Sequence, residues 1–253
     1  MIGIERNKWG QVPFLEVVDF SLRNEAAPFV IFIHGFTSAK EHNLPYAYYL
    51  AEKGYRVLLP DTLYHGERQI GLSEIQLGFR FWEIVIQTIK ELEILKKKYN
   101  ELRKIENGRI GIAGTSMGGI VTLGALTQYS WIKAAVSLMG SPAPVEFAEK
   151  QVEWVKENDS LPLDDKDVSD LLSTLRTFDL SLQPELLNNR PLMLWHGKKD
   201  QVVPFQPTYN FYETIYPTYD QKEHIYFMVD EEGEHKVPRP AILKTVEWFC
   251  RHI

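Results

Sequence analysis

The chain has 253 residues, 44% of them hydrophobic and 25% charged, with a formal net charge of -6. That length supports one sizeable core, so a single domain spanning 1–253 is expected, and the acidic balance leaves no basic face for nucleic acid. No stretch approaches the roughly 18 uninterrupted apolar residues of a membrane span, and the lone Cys250 excludes an intrachain disulfide.

The first residues, "MIGIERNKWGQVPFLEVV", lack the charged start and apolar run of a secretory leader, so a cytoplasmic setting is expected. "PFLEVVDFSL" (13–22) alternates and predicts a strand in a hairpin with residues 2–7. "FVIFIHG" (29–35) is a continuous apolar run, the pattern of a strand covered on both faces, a short helix (44–54) follows, and "YRVLLPD" (55–61) reads as the next buried strand. Ser73 and Gln76 have capping-box spacing before a helix predicted over 73–99, whose apolar stripe is Trp82, Val85, Ile89, Leu92 and Tyr99. Then follow a strand (109–114), a helix (117–129), and strands at 133–140, 190–196 and 224–229. Helices are predicted at 206–215 and 239–252. Strands alternating with helices predict an α/β fold, a mostly parallel central sheet with helices on both faces.

Residues 141–189 break this rhythm, because about fifty residues separate two strands where a crossover needs far fewer. Val168, Leu171, Leu172, Leu175 and Phe178 follow helical spacing there. The segment reads as a small helical cap inserted over the strand ends, with a plain pair of packing helices as the alternative.

"RIGIAGTSMGGIV" (109–121) carries the chemistry. Gly114-Thr115-Ser116-Met117-Gly118 is a G-x-S-x-G pattern between a predicted strand and a predicted helix, which is where a nucleophile elbow sits. The G-K-[ST] ending of a phosphate cradle is missing. A serine hydroxyl needs a base within hydrogen-bond reach, and that base needs an orienting carboxylate. In doubly wound sheets such groups collect after the carboxyl ends of strands. Of seven histidines, His235 follows the last predicted strand, whereas His224 begins it and His252 lies in the closing helix. Asp200 follows the preceding strand in "WHGKKDQVVP". Singly, Asp200 could cap its own loop and His235 could be solvated. Together with Ser116 they give the order Ser, Asp, His. Backbone N–H groups of Phe36, in "HGF" (34–36), and of Met117 are the candidate oxyanion donors, and His34 reads as a residue that holds its loop. For His65, at the next strand end, two readings stand: binding substrate at the pocket wall, or holding the loop. "DEEGE" (230–234) reads as a solvated loop, and no metal motif is present.

On these residues, His34-Gly35-Phe36, the Gly114–Gly118 elbow, "HGKKDQVVP" and "GEH" ending at His235, the chain resembles the α/β-hydrolase superfamily over nearly its whole length. It looks like the small bacterial carboxylesterases related to prolyl-oligopeptidase-type and dienelactone hydrolases. It lacks the propeller of the former and has serine where the latter use cysteine. The resemblance implies a serine esterase acting on a small-molecule ester, without cofactor or metal. A peptidase, a dienelactone-type hydrolase and a non-catalytic ligand-binding homologue are the alternatives. Short acyl groups are expected, because Lys150, Glu153, Lys156, Glu157, Asp164, Asp165, Lys166 and Asp167 make the cap too polar for a lipase lid.

Overall fold

The computed structural model describes residues 1–158 and 164–253. Eight strands form one sheet: β1 (Ile2–Trp9), β2 (Val12–Asp19), β3 (Ala27–Ile33), β4 (Arg56–Pro60), β5 (Ile105–Thr115), β6 (Ala134–Leu138), β7 (Leu192–Gly197) and β8 (Ile225–Asp230). Their spatial order is β1-β2-β4-β3-β5-β6-β7-β8. β1 pairs antiparallel with β2, and β2 antiparallel with β4, while every pair from β4 through β8 is parallel. The predicted hairpin is therefore the antiparallel edge of an otherwise parallel sheet.

Helices α1 (Leu44–Ala51), α2 (Glu74–Gly78), α3 (Phe81–Glu101), α4 (Met117–Gln128), α5 (Pro144–Asn158), α6 (Asp165–Arg176), α7 (Phe205–Ile215) and α8 (Arg239–His252) cover it. The period of two along each strand splits the core. Phe29, Ile31 and Ile33 of β3, with Leu192 and Leu194 of β7, face one core completed by α3, α4 and α7. Val30, Phe32, Met193 and Trp195 face the other, closed by Tyr46, Ala47 and Leu50 of α1 and by Trp248 and Phe249 of α8. Burial on both faces is why β3 reads as a continuous apolar run.

Three elements depart from expectation. The helix predicted over 73–99 is two helices. Ser73 and Gln76 do form a capping box, but it caps α2, which packs only Leu77, part buried, against the core, and the chain re-enters a helix after Arg80. Gly78, a poor helix former, stands at that break. The whole apolar stripe belongs to α3, where Trp82, Val85, Ile89, Leu92 and Tyr99 are all buried. β5 starts four residues earlier than the alternation shows, because Ile105 pairs with Ala27 across a register shift. β2 ends at Asp19, whose carboxylate accepts the Ser21 N–H at 2.9 Å and turns the chain.

Between β6 and β7 the chain makes α5 and α6, and residues 159–163 of the predicted cap lie outside the described residues. The stripe is only part buried: Leu175 is inside, while Leu171, Leu172 and Phe178 pack against the core from its margin. α5 leaves the carboxyl end of β6 and packs on the start of α3, with Trp82 Nε1 donating to Gln151 Oε1 at 2.8 Å. Among the described residues no helix is long and apolar enough to cross a membrane.

Candidate active site

Ser116 stands between β5 and α4 with φ 54° and ψ -117°. A non-glycine residue at positive φ is strained and persists only where its surroundings enforce it. Here the Ser116 N–H donates to the Leu138 carbonyl at 2.8 Å, and its own carbonyl accepts from Ile120 at 3.0 Å. The flanking glycines are required by close approach. A Cβ on Gly114 would overlap the Gly118 carbonyl, and one on Gly118 would overlap the carbonyl of Ile33.

The loops after β7 and β8 deliver the partners. Gly197 lies in register with Asp230, and a Cβ on Gly197 would overlap the Gly233 carbonyl, so the two loops cross in contact. The Lys199 N–H donates to that same carbonyl at 2.9 Å. This crossing brings Asp200 and His235 together: His235 Nδ1 lies 2.7 Å from Asp200 Oδ2, and His235 Nε2 lies 2.8 Å from Ser116 Oγ. The three residues singled out from the sequence thus form one hydrogen-bonded chain.

Asp200 is buried, and burial pushes its carboxyl up. Hydrogen bonds from His196, His235, Val203 and Val202 outweigh that and hold it well below the usual carboxylate range. Its Oδ1 accepts the N–H groups of Val202 and Val203 at 2.8 and 2.9 Å. His196, fully buried, was not singled out by sequence reasoning. Its Nδ1 has no partner among the described residues, which leaves the proton on Nε2, shared between the Val203 carbonyl at 2.9 Å and Asp200 Oδ2 at 3.2 Å. The available signal was its spacing, four residues before Asp200 in "HGKKD".

Ile33 is in register with Gly114, so the "HGF" loop runs beside the elbow, and a Cβ on Gly35 would sit 3.4 Å from Ser116 Cβ. Among the described residues the N–H groups of Phe36 and Met117 have no hydrogen-bond partner. His34 is fully buried, and burial pushes its imidazole down to about 4. Its Nδ1–H donates to the Gly35 carbonyl at 2.7 Å and its Nε2 accepts the Thr62 N–H at 3.1 Å. His65 is buried and likewise fully engaged: Nε2 accepts the Thr37 N–H at 3.0 Å and Nδ1 lies 2.8 Å from the Leu63 carbonyl. Of the two readings of His65, its ring nitrogens serve the loop.

Below these loops, Asp61 Oδ2 pairs with Lys40 Nζ at 2.5 Å, both side chains being inside the protein. An apolar wall rises on the other side. Phe36 meets Phe81 edge-on at 5.4 Å between ring centroids, and Phe147 of α5 meets Phe81 and Trp82 at 6.3 and 6.0 Å. His224 and His252 meet edge-on at 5.2 Å between ring centroids, outside the loops that carry Ser116, Asp200 and His235. Among the described residues no group of three or more His, Cys, Asp or Glu side chains is arranged to hold a metal ion.

The fold defines an α/β-hydrolase. The model of the Prolyl oligopeptidase family matches residues 87–252, about two thirds of the sequence, and the chain belongs to that family. It is a hydrolase. It is 52% identical to the putative esterase YitV of Bacillus subtilis over 251 residues, 98% of each chain. It is 28% identical to the esterase YjfP of Escherichia coli over 269 residues, the full length of both. Among solved structures, TT1662 from Thermus thermophilus superposes with a TM-score of 0.73 at 19% identity, covering 99% of this chain and 98% of that one.

Proposed function

We propose that the protein is a carboxylesterase that cleaves small-molecule esters through a serine acyl-enzyme. The observation that carries this is the proton path from Ser116 Oγ to His235 Nε2, 2.8 Å, and from His235 Nδ1 to Asp200 Oδ2, 2.7 Å. Ser116 is the nucleophile and His235 the general base. Asp200, kept ionised by its hydrogen bonds, holds the Nδ1 proton and leaves Nε2 bare to receive the serine proton. Attack on the ester carbonyl puts negative charge on its oxygen. The N–H groups of Phe36 and Met117, which have no hydrogen-bond partner among the described residues, stabilise that charge as it forms. His235 then hands its proton to the departing alcohol, and water repeats the sequence to free the acid. No cofactor enters these steps. The similarity to YitV, a putative esterase, and to YjfP, an esterase, supports an ester over a peptide bond.

The acyl group is short. Residues 141–189 act as a helical cap on the single domain 1–253, and Phe36, Phe81 and Phe147 line the approach from the donor loop to α5. The deciding experiment pairs Ser116→Ala with wild type on para-nitrophenyl acetate, alongside labelling by a fluorophosphonate. Turnover and labelling should both vanish in a variant with unchanged circular dichroism. Turnover of Ser116→Ala within tenfold of wild type refutes the reading.

A further inference from the structure

We propose that His34 and His65 are positioning residues that clamp the peptide units on either side of Phe36 and so aim its N–H at the developing oxyanion. The inference rests on the assignment of Phe36 as an oxyanion donor. The Gly35 carbonyl and the Phe36 N–H belong to one planar unit, in which the two groups point in opposite directions. His34 Nδ1–H holds that carbonyl at 2.7 Å, with a second donation from the Ser38 N–H at 3.2 Å. Fixing the carbonyl fixes the direction of the N–H, and donation to the carbonyl polarises the unit and strengthens its donor. The next peptide unit is held from the other end, by His65 Nε2 accepting the Thr37 N–H at 3.0 Å.

The clamp is needed because the loop does not hold this shape by itself. Thr37 sits at φ 60°, a region that β-branched residues rarely enter. Its hydroxyl donates to the Phe36 carbonyl at 2.7 Å, and His65 takes the remaining backbone donor. One residue ties the two rings together. The Thr62 N–H donates to His34 Nε2 at 3.1 Å, and Thr62 Oγ1 lies 3.0 Å from His65 Nδ1. Each Nε2 faces a backbone donor and each Nδ1 faces a backbone carbonyl, so both rings are neutral with the proton on Nδ1. Burial pushes both imidazoles down, which keeps them in that form around neutral pH. A protonated ring would present a proton to Thr37 or Thr62 where it must present a lone pair.

The test compares His65→Gln with His65→Asn. Glutamine can place an amide oxygen near the position of Nε2 and still accept from Thr37. Asparagine is one carbon shorter and leaves that N–H unmet. Rates are normalised to sites titrated with a fluorophosphonate, so unfolded chains do not count. Loss of a whole oxyanion donor costs about 10² to 10³ in kcat, so a donor held but misaimed should cost at least about tenfold. Expected is a kcat at least about tenfold lower for His65→Asn than for His65→Gln, with KM within about threefold of wild type for both. Equal kcat values, or a loss carried by KM, overturn the clamp. The underlying assignment is read separately, in the wild type. If a trifluoromethyl ketone analogue of the ester, whose adduct carries the oxyanion, binds no tighter than the ester itself, the oxyanion reading fails. If the ketone binds tightly while His65→Asn and His65→Gln behave alike, only the clamp fails.

Discussion

Replacing Asp200 by asparagine separates the two jobs of its carboxylate. Oδ1 accepts two backbone N–H groups, from Val202 and Val203, at 2.8 and 2.9 Å. Oδ2 faces two imidazole nitrogens, His235 Nδ1 at 2.7 Å and His196 Nε2 at 3.2 Å. An asparagine has one acceptor edge and one donor edge. If its oxygen turned toward the histidines, the NH2 group would face two backbone donors and strand both. Each stranded buried donor costs about 1–3 kcal/mol. If the oxygen stays with Val202 and Val203, the cost is smaller. His196 keeps the Val203 carbonyl at 2.9 Å, and His235 can shift its proton to Nε2 so that Nδ1 accepts from the amide. The second arrangement therefore wins, and it is the one that disables the base, because Nε2 now carries a proton where it faced Ser116 Oγ. The expected loss in kcat is about 10⁴, the value for the corresponding change in a serine protease, equivalent to about 5.5 kcal/mol of barrier. Thermal stability should change little. Para-nitrophenyl acetate turnover and a melting curve on the same preparation give both numbers. A turnover within tenfold of wild type, or a collapse in stability that explains the lost rate, refutes the reasoning.

Two further outcomes follow from the same geometry. Across para-nitrophenyl esters from acetate to palmitate, kcat/KM should peak at about two to four acyl carbons and then fall, because overfilling a packed site is costly. An open channel would instead gain about 0.8 kcal/mol per buried methylene, so a maximum at octanoate or longer rejects the cap. Acid should destabilise the fold before the carboxylates titrate. His34 is pushed from 6.5 down to about 4, so the unfolded chain binds a proton that the native state refuses. That contribution, on the order of 3 kcal/mol, is fully present above about pH 6.5 and is lost as pH falls toward 4. Urea midpoints at about pH 7.5 and 4.5 should differ more in wild type than in His34→Gln, where the depressed His65 and His252 still contribute to the acid loss, and an equal drop in both sinks the assignment.

The parts of the fold that were legible in the sequence are those governed by burial. β3 reads as a continuous apolar run, and β4 as the next buried strand, because α1 and α8 cover one face and α3, α4 and α7 the other. The missed break after Gly78 lies in a segment that packs only Leu77 against the core, too little for a periodicity to mark it. The candidate site divides the same way. Ser116, Asp200 and His235 could be picked out because each follows a strand end and a local pattern names the serine.

The pairing of His34 with His65, and which nitrogen of His196 meets Asp200, could not be read, and the reason is chemical. All three lie inside the protein, and their roles depend on which ring nitrogen meets which backbone group. Spacing does not encode that. The Thr62 N–H reaches across 28 positions to His34, and the Thr37 N–H across 28 to His65. Such contacts exist only once β3, β4 and β5 lie side by side. Burial then turns position into chemistry. A histidine on the surface would exchange protons with water through the neutral range, whereas His34, with both nitrogens committed to backbone partners, has one protonation state and one orientation. In the proposed mechanism, Ser116 and His235 carry the proton that must move. The histidines around them are useful because theirs cannot, and a loop held by two immobile protons keeps the Phe36 donor in place before any substrate arrives.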